Sequence, residues 1–215
     1  MIISRKRRYI LVHIPKTGGT ALALALESRA AGDDILIGDT PKAVKRRGRV
    51  KTLQGSGRLW KHSGLSDIHG VISKAEMAEF FVLTLVRNPW DRLVSYYHWL
   101  GEQGFDHPAV ELAKALDFSD FLKEQHLQSS IGNAPYGSYV TDCSGVERCN
   151  LFVRIEDFAT DIQPFEAHLG FQIDPLERVN ASPRDADYRG YYSDADAEIV
   201  ARICADDIDR FNYSF

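Results

Sequence analysis

The tightest constraint on the fold lies near the start of the chain. A four-residue apolar run, Tyr9 to Val12, leads into the loop His13-Ile14-Pro15-Lys16-Thr17-Gly18-Gly19-Thr20 and then into an alanine- and leucine-rich run, Ala21 to Leu26. That order reads as strand, tight loop, helix. Two adjacent glycines let the backbone turn sharply and approach a ligand closely, while the first amides of the helix point outward and carry the positive end of its dipole. Such a terminus accepts phosphate or sulfate. Lys16 adds a mobile full charge, and Thr17 and Thr20 add hydroxyl donors. Lys16 precedes the glycines, whereas the nucleotide triphosphatase loop places its lysine after the last glycine, so ATP is disfavoured. The bland alternative is a plain strand-to-helix turn.

A second junction of the same kind follows. Phe81-Val82-Leu83-Thr84-Leu85-Val86 is a continuous apolar strand, the pattern of a central strand covered on both faces. It runs into Arg87-Asn88-Pro89-Trp90-Asp91, where Asn88 is a good N-cap and Pro89 suits the first helical position. Arg87 ends the buried strand, where its planar fork suits a phosphate. Ser95 follows two helical turns later, and Asp91 shares its helix face. The structural alternative pairs Arg87 with Asp91 and leaves Ser95 as a small packing residue.

Shorter signals fill in the rest. Ile35-Leu36-Ile37 and Leu151 to Ile155 read as further strands. Helical patterns cover Ser73 to Phe80, Pro108 to Gln128 in two pieces, Ile162 to Leu169, and Ser193 to Asn212. Residues 42–60 read as an irregular basic excursion, Ser129 to Gly145 as a polar loop, and Asn180 to Tyr192 as a second long loop. Strands alternating with helices predict an α/β fold with a parallel central sheet of about five strands flanked by helices, and ligands at the strands' carboxyl ends. With 215 residues, 44% of them hydrophobic, one substantial core is expected, so the whole chain, 1–215, reads as one domain.

Charge and cysteine content narrow the classes. Residues 1–62 carry 14 Lys plus Arg against 4 Asp plus Glu, while the whole chain is at −4, so the basic part is also the part that holds the anion loop. Nucleic acid is not an expected partner, because the overall balance is acidic and no basic helix interleaves with aromatics. No run approaches about eighteen apolar residues, so no membrane span is expected, and Met1 to Arg8 does not make a secretory leader. A cytoplasmic protein is the default. Three cysteines, Cys143, Cys149 and Cys204, show no metal-ligand spacing and read as free thiols; the alternative is a hairpin tip between Cys143 and Cys149 closed by a disulfide in an oxidising compartment.

The two junctions taken together resemble the two cofactor motifs of the sulfotransferases, specifically the carbohydrate type that includes heparan 2-O- and chondroitin 4-O-sulfotransferases, and in particular soluble, bacterial-like members. The motifs are His13 to Thr20 and Leu85-Val86-Arg87-Asn88-Pro89-Trp90-Asp91-Arg92-Leu93-Val94-Ser95. Weaker similarity continues through Lys61-His62, Arg154-Ile155-Glu156-Asp157-Phe158, Asn180-Ala181-Ser182 and Tyr191-Tyr192. The resemblance implies a P-loop nucleotide-kinase-like fold. It also implies 3′-phosphoadenosine 5′-phosphosulfate (PAPS) as sulfuryl donor, with no metal. Lys16, Thr17, Gly18, Gly19 and Thr20 would hold the 5′-phosphosulfate and Arg87 and Ser95 the 3′-phosphate. Arg184, in the loop before the last helix, would add a further cofactor contact, with Tyr188 beside it.

The implied reaction moves a sulfuryl group in line to an acceptor hydroxyl, of a saccharide or glycoconjugate. Catalysis then rests on positioning and on cations where charge develops. Lys16 is the electrostatic catalyst. Among seven histidines, His62 is the candidate general base. His13 is its competitor, although the end of a strand suits a packed residue, and Asp67 is the next place to look. Trp60 is read as a core or rim tryptophan with adenine stacking as the alternative, and Tyr136 and Tyr139 as structural or acceptor-lining. Two rival functions are a nucleotide kinase and a non-catalytic module that binds a phosphonucleotide or sulfated glycan.

Overall fold

The computed structural model describes residues 1–176 and 184–215. In chain order the elements are β1 (Ile2–Ser4), β2 (Tyr9–Val12), α1 (Gly19–Ser28), β3 (Ile35–Leu36), α2 (Pro41–Val50), α3 (Lys74–Glu79), β4 (Phe81–Val86), α4 (Pro89–Gly101), α5 (Pro108–Ala115), α6 (Phe118–Lys123), α7 (Gln125–Gly132), α8 (Tyr136–Tyr139), β5 (Leu151–Arg154), α9 (Phe158–Asp161), α10 (Gln163–Leu169), α11 (Asp194–Ile203) and α12 (Ala205–Phe211). They fall into two compact units, 1–86 with 136–179 and 87–135 with 180–215.

The first unit is an α/β layer structure around a five-stranded sheet of order β3-β1-β2-β4-β5. β2, β4 and β5 run parallel, with Tyr9 opposite Phe81 and Val86 opposite Arg154. The parallel sheet expected from the sequence is corrected in one respect. β1 pairs antiparallel with both β2 and β3, so the sheet is mixed. Only three residues of β1 precede the basic turn at 5–8, too few for periodicity to reveal a strand.

Alternation along the strands divides the core between the two faces of the sheet. Ile10, Val12 and Val82 pack with Leu65, Ile68 and Met77 on one side. Tyr9, Leu11, Leu83 and Leu85 pack with Leu22, Leu26 and Phe165 on the other. Burial on both faces is why β4 reads as a continuous apolar run. Its one polar residue, Thr84, is fully buried and donates its hydroxyl to the Val12 carbonyl at 3.0 Å.

The irregular excursion expected over 42–60 is also corrected, since its first part is α2. Thr40 caps that helix by accepting from the Ala43 amide, and Pro41 occupies its first turn, which is sufficient to start a helix. Only Ala43 of α2 is buried. With so few apolar positions, the helix has no stripe to read from sequence. The hairpin between Cys143 and Cys149 is present, with Thr141 bridging Glu147 and Asp142 accepting from the Ser144 and Val146 amides and from Arg148. The three cysteines are free thiols, and Cys143 is exposed.

The second unit is helical. Trp90, Leu93 and Val94 of α4 pack with Val110, Phe118, Phe121 and Val200 into its core. The polar loop expected from Ser129 begins later, because α7 continues to Gly132, and α8 interrupts it. The single last helix expected over 193–212 breaks at Cys204 into α11 and α12. Among the described residues no helix is long and apolar enough to cross a membrane.

Candidate active site

The loop after β2 is closed from within. Thr17 is fully buried and its hydroxyl donates to the Ile14 carbonyl at 3.0 Å. That corrects the expectation of a ligand-facing Thr17 hydroxyl, since the side chain ties the loop to itself. Lys16 has a left-handed backbone at φ 66°, an uncommon conformation for a residue with a Cβ and one that tends to mark constrained functional loops. Gly18 caps α1 at φ 87° with no side-chain acceptor for the first-turn amides.

Both glycines are dictated by space. A Cβ on Gly18 would lie 2.3 Å from Cδ1 of Ile155, and one on Gly19 would lie 2.3 Å from Cδ2 of His13. His13 is 7% exposed and packs beneath the first residue of α1. Burial first, then neighbouring positive groups, holds its imidazole well below the ordinary histidine value. It is therefore a neutral support for the loop.

His62 is tied to the same loop. Its Nδ1 lies 2.8 Å from the His13 carbonyl oxygen. A carbonyl only accepts, so Nδ1 carries the proton and Nε2 the lone pair. The rings of His13 and Trp60 meet His62 edge-on at 4.7 and 5.0 Å. Burial pushes the His62 pKa down to about 4, although its bond to His13 works the other way. The result is a neutral imidazole of fixed tautomer throughout the neutral range. Its preceding neighbour, Lys61, pairs with Asp39 at 2.6 Å.

Asp67, Tyr136 and Arg154 are engaged within the fold itself. Asp67 accepts from the Gly64 amide at 2.8 Å, within a turn. Tyr136 is fully buried and belongs to the core, whereas Trp60 is 41% exposed. Arg154 pairs with Asp157 and Asp161 at the end of β5.

In the second unit, one carboxylate gathers two guanidiniums. Asp91 Oδ2 lies 2.6 Å from Arg87 Nη2, and Asp91 Oδ1 pairs with Arg184 Nη2. The Arg87–Asp91 pairing weighed as a structural alternative is thus present. Asp91 does not serve Arg87 alone, because its second oxygen engages Arg184. Ser95 is buried one turn beyond Asp91. Asn88 caps α4 through the Trp90 amide and donates to the Tyr188 hydroxyl at 3.1 Å, which ties the segment carrying Arg184 to the start of α4.

His98 continues the Asp91 and Ser95 face of α4. Its Nε2 is buried and finds no hydrogen-bond partner among the described residues. Burial and then Arg184 hold its pKa below the ordinary value. Spacing of four and then three along α4 was the available signal. The similarity at Asn180-Ala181-Ser182 lies outside the described residues. Among the described residues no group of three or more His, Cys, Asp or Glu could hold a metal ion.

No protein-family model matches the chain, and no curated protein matches it. Among solved structures, the mouse sulfotransferase SULT7A1 complexed with PAP is similar, with a TM-score of 0.56 at 16% sequence identity over 96% of this chain and 85% of that one. The chain therefore has the fold of that sulfotransferase.

Proposed function

We propose that this protein is a cytoplasmic PAPS-dependent sulfotransferase, acting as one domain over 1–215, that transfers a sulfuryl group to a hydroxyl of a saccharide or glycoconjugate. The observation that carries the reading is His62, neutral, with Nδ1 committed to the His13 carbonyl, beside a glycine loop that admits no Cβ. The fold shared with a PAP-bound sulfotransferase supports the same reading.

Each residue then has a part. His62 Nε2 takes the proton of the acceptor hydroxyl as its oxygen attacks sulfur. The bond from sulfur to the bridging oxygen breaks, and the departing 5′-phosphate keeps the electron pair. Lys16 and the backbone amides from Thr17 to Thr20 stabilise the charge that develops there. Arg87, Ser95 and Arg184 hold the 3′-phosphate, and Asp91 orients the two guanidiniums that would otherwise repel each other. His98 lends its spare nitrogen to the same ligand. No step needs a metal.

Incubation with radiolabelled PAPS and a panel of neutral and acidic glycans and glycosides tests this. Label should move to at least one acceptor, without magnesium. Intact binding of PAP, the desulfated product 3′-phosphoadenosine 5′-phosphate, with no transfer to any acceptor would instead favour a non-catalytic binding module.

A further inference from the structure

A cleft of about 810 Å³ is lined by β3, one face of α2 and segment 51–61, and its lining includes Trp60 and Lys61, the residues that precede His62 in the chain. That volume suits one drug-sized molecule. Its walls are of two kinds. Ile37, Val50, Leu53, Leu59 and Trp60 supply apolar surface, and Trp60 meets the His62 ring edge-on.

Four cations, Arg47, Lys51, Arg58 and Lys61, share the lining with one carboxylate, Asp39, which Lys61 already engages. Arg58 lies over the Trp60 ring at 5.1 Å. Among the described residues neither Arg47 nor Lys51 makes an ion pair. They fall on the same face of α2 and its C-terminal cap as the buried Ala43 and the wall residue Val50, at helical spacing. Such a cleft selects against a neutral sugar, which leaves the cations unanswered, and against a long polyanionic chain, which leaves the apolar wall wet.

We propose that this cleft seats the acceptor, and that the acceptor is an acidic glycoconjugate with an apolar aglycone: a sugar hydroxyl to react, an apolar body for the wall, and an anionic group for Arg47 and Lys51. The inference rests on the sulfotransferase reading for the word acceptor, but the binding it describes needs no donor.

The test is calorimetric titration of the protein, without PAPS, with octyl β-D-glucuronide, octyl β-D-glucoside and methyl β-D-glucuronide, all below micelle-forming concentrations. The first should bind about tenfold or more tightly than either of the others, as expected when one charge-assisted contact or one apolar chain is lost. In the Arg47→Ala/Lys51→Ala double variant its affinity should fall to that of the glucoside. Both side chains are exposed, and unchanged PAP affinity and circular dichroism would show that the variant folds. Added salt should erode the glucuronide's advantage in the wild type, an independent readout of the same charges. Equal affinity for glucuronide and glucoside, or a double variant that binds like wild type, overturns the inference. Selective glucuronide binding in a protein that binds no PAP would keep the cleft and remove the sulfotransferase reading instead.

Discussion

His62→Gln lowers kcat by about 10²- to 10⁴-fold, the usual contribution of a positioned general base, while PAP binds as tightly as before. Glutamine retains a side-chain donor toward the His13 carbonyl and removes the basic nitrogen, so it separates proton transfer from support of the loop. The pH profile supplies a second readout. Burial holds His62 near pKa 4, so its active neutral form persists as pH falls, and kcat/KM should keep its value well below the ordinary histidine pKa of about 6.5. An acid limb centred near 6.5 in the wild type, or a glutamine variant that turns over normally, would remove His62 from the role. The same shift bears on stability. A folded-state pKa below the unfolded one means that the unfolded chain takes up the proton first, so this histidine's stabilisation is present above about 6.5 and is lost as pH falls toward 4.

Gly19→Ala should damage the protein where helix propensity alone predicts a gain. In an ordinary helix the change stabilises by up to about 1 kcal/mol. Here the new methyl lies 2.3 Å from the His13 ring, and overpacking of this kind costs about 1–3 kcal/mol. His13 must shift, and its carbonyl is the group that holds His62. A displacement of about 1 Å at a reacting group costs on the order of 10²-fold in rate. Thermal unfolding and turnover measured together give the answer: Tm should fall and kcat should drop by more than tenfold. A raised Tm with unchanged kcat would show that the close packing of His13 under α1 carries no functional weight.

Sequence and structure agree most where one residue type answers one local demand. Gly18 and Gly19 marked a close backbone approach because no other residue fits there. The β4 run announced a strand buried on both faces, and Asn88 with Pro89 announced the start of α4. What stayed hidden depended on partners distant in sequence. β1 is three residues long, and pairing with β2 and β3 is what makes it a strand. α2 buries a single residue, so its helix rests on the Thr40 cap rather than on a pattern. The packed role of His13 was legible from its place at a strand end, whereas the tautomer of His62 required seeing which carbonyl its ring meets. The opposite holds for Thr17, whose hydroxyl looked available and turns inward. The Asp91 cluster was half visible, because spacing suggested its pair with Arg87 but gave no hint that Arg184, far along the chain, completes it.

Calorimetric titration with PAP, with ATP and AMP as controls, on wild type, Arg87→Ala and Arg189→Ala tests the central claim most directly. Arg189 pairs with Asp187 on the surface and serves as the charge-matched control. Removing Arg87 takes away a guanidinium and its forked donor set, worth about 10- to 100-fold in affinity for a charged ligand. The account predicts that PAP binds more tightly than ATP or AMP, that Arg87→Ala loses this binding, and that Arg189→Ala retains it. ATP binding as tightly as PAP, or an Arg87→Ala titration that matches wild type, would contradict it and move the nucleotide kinase and binding-module readings ahead.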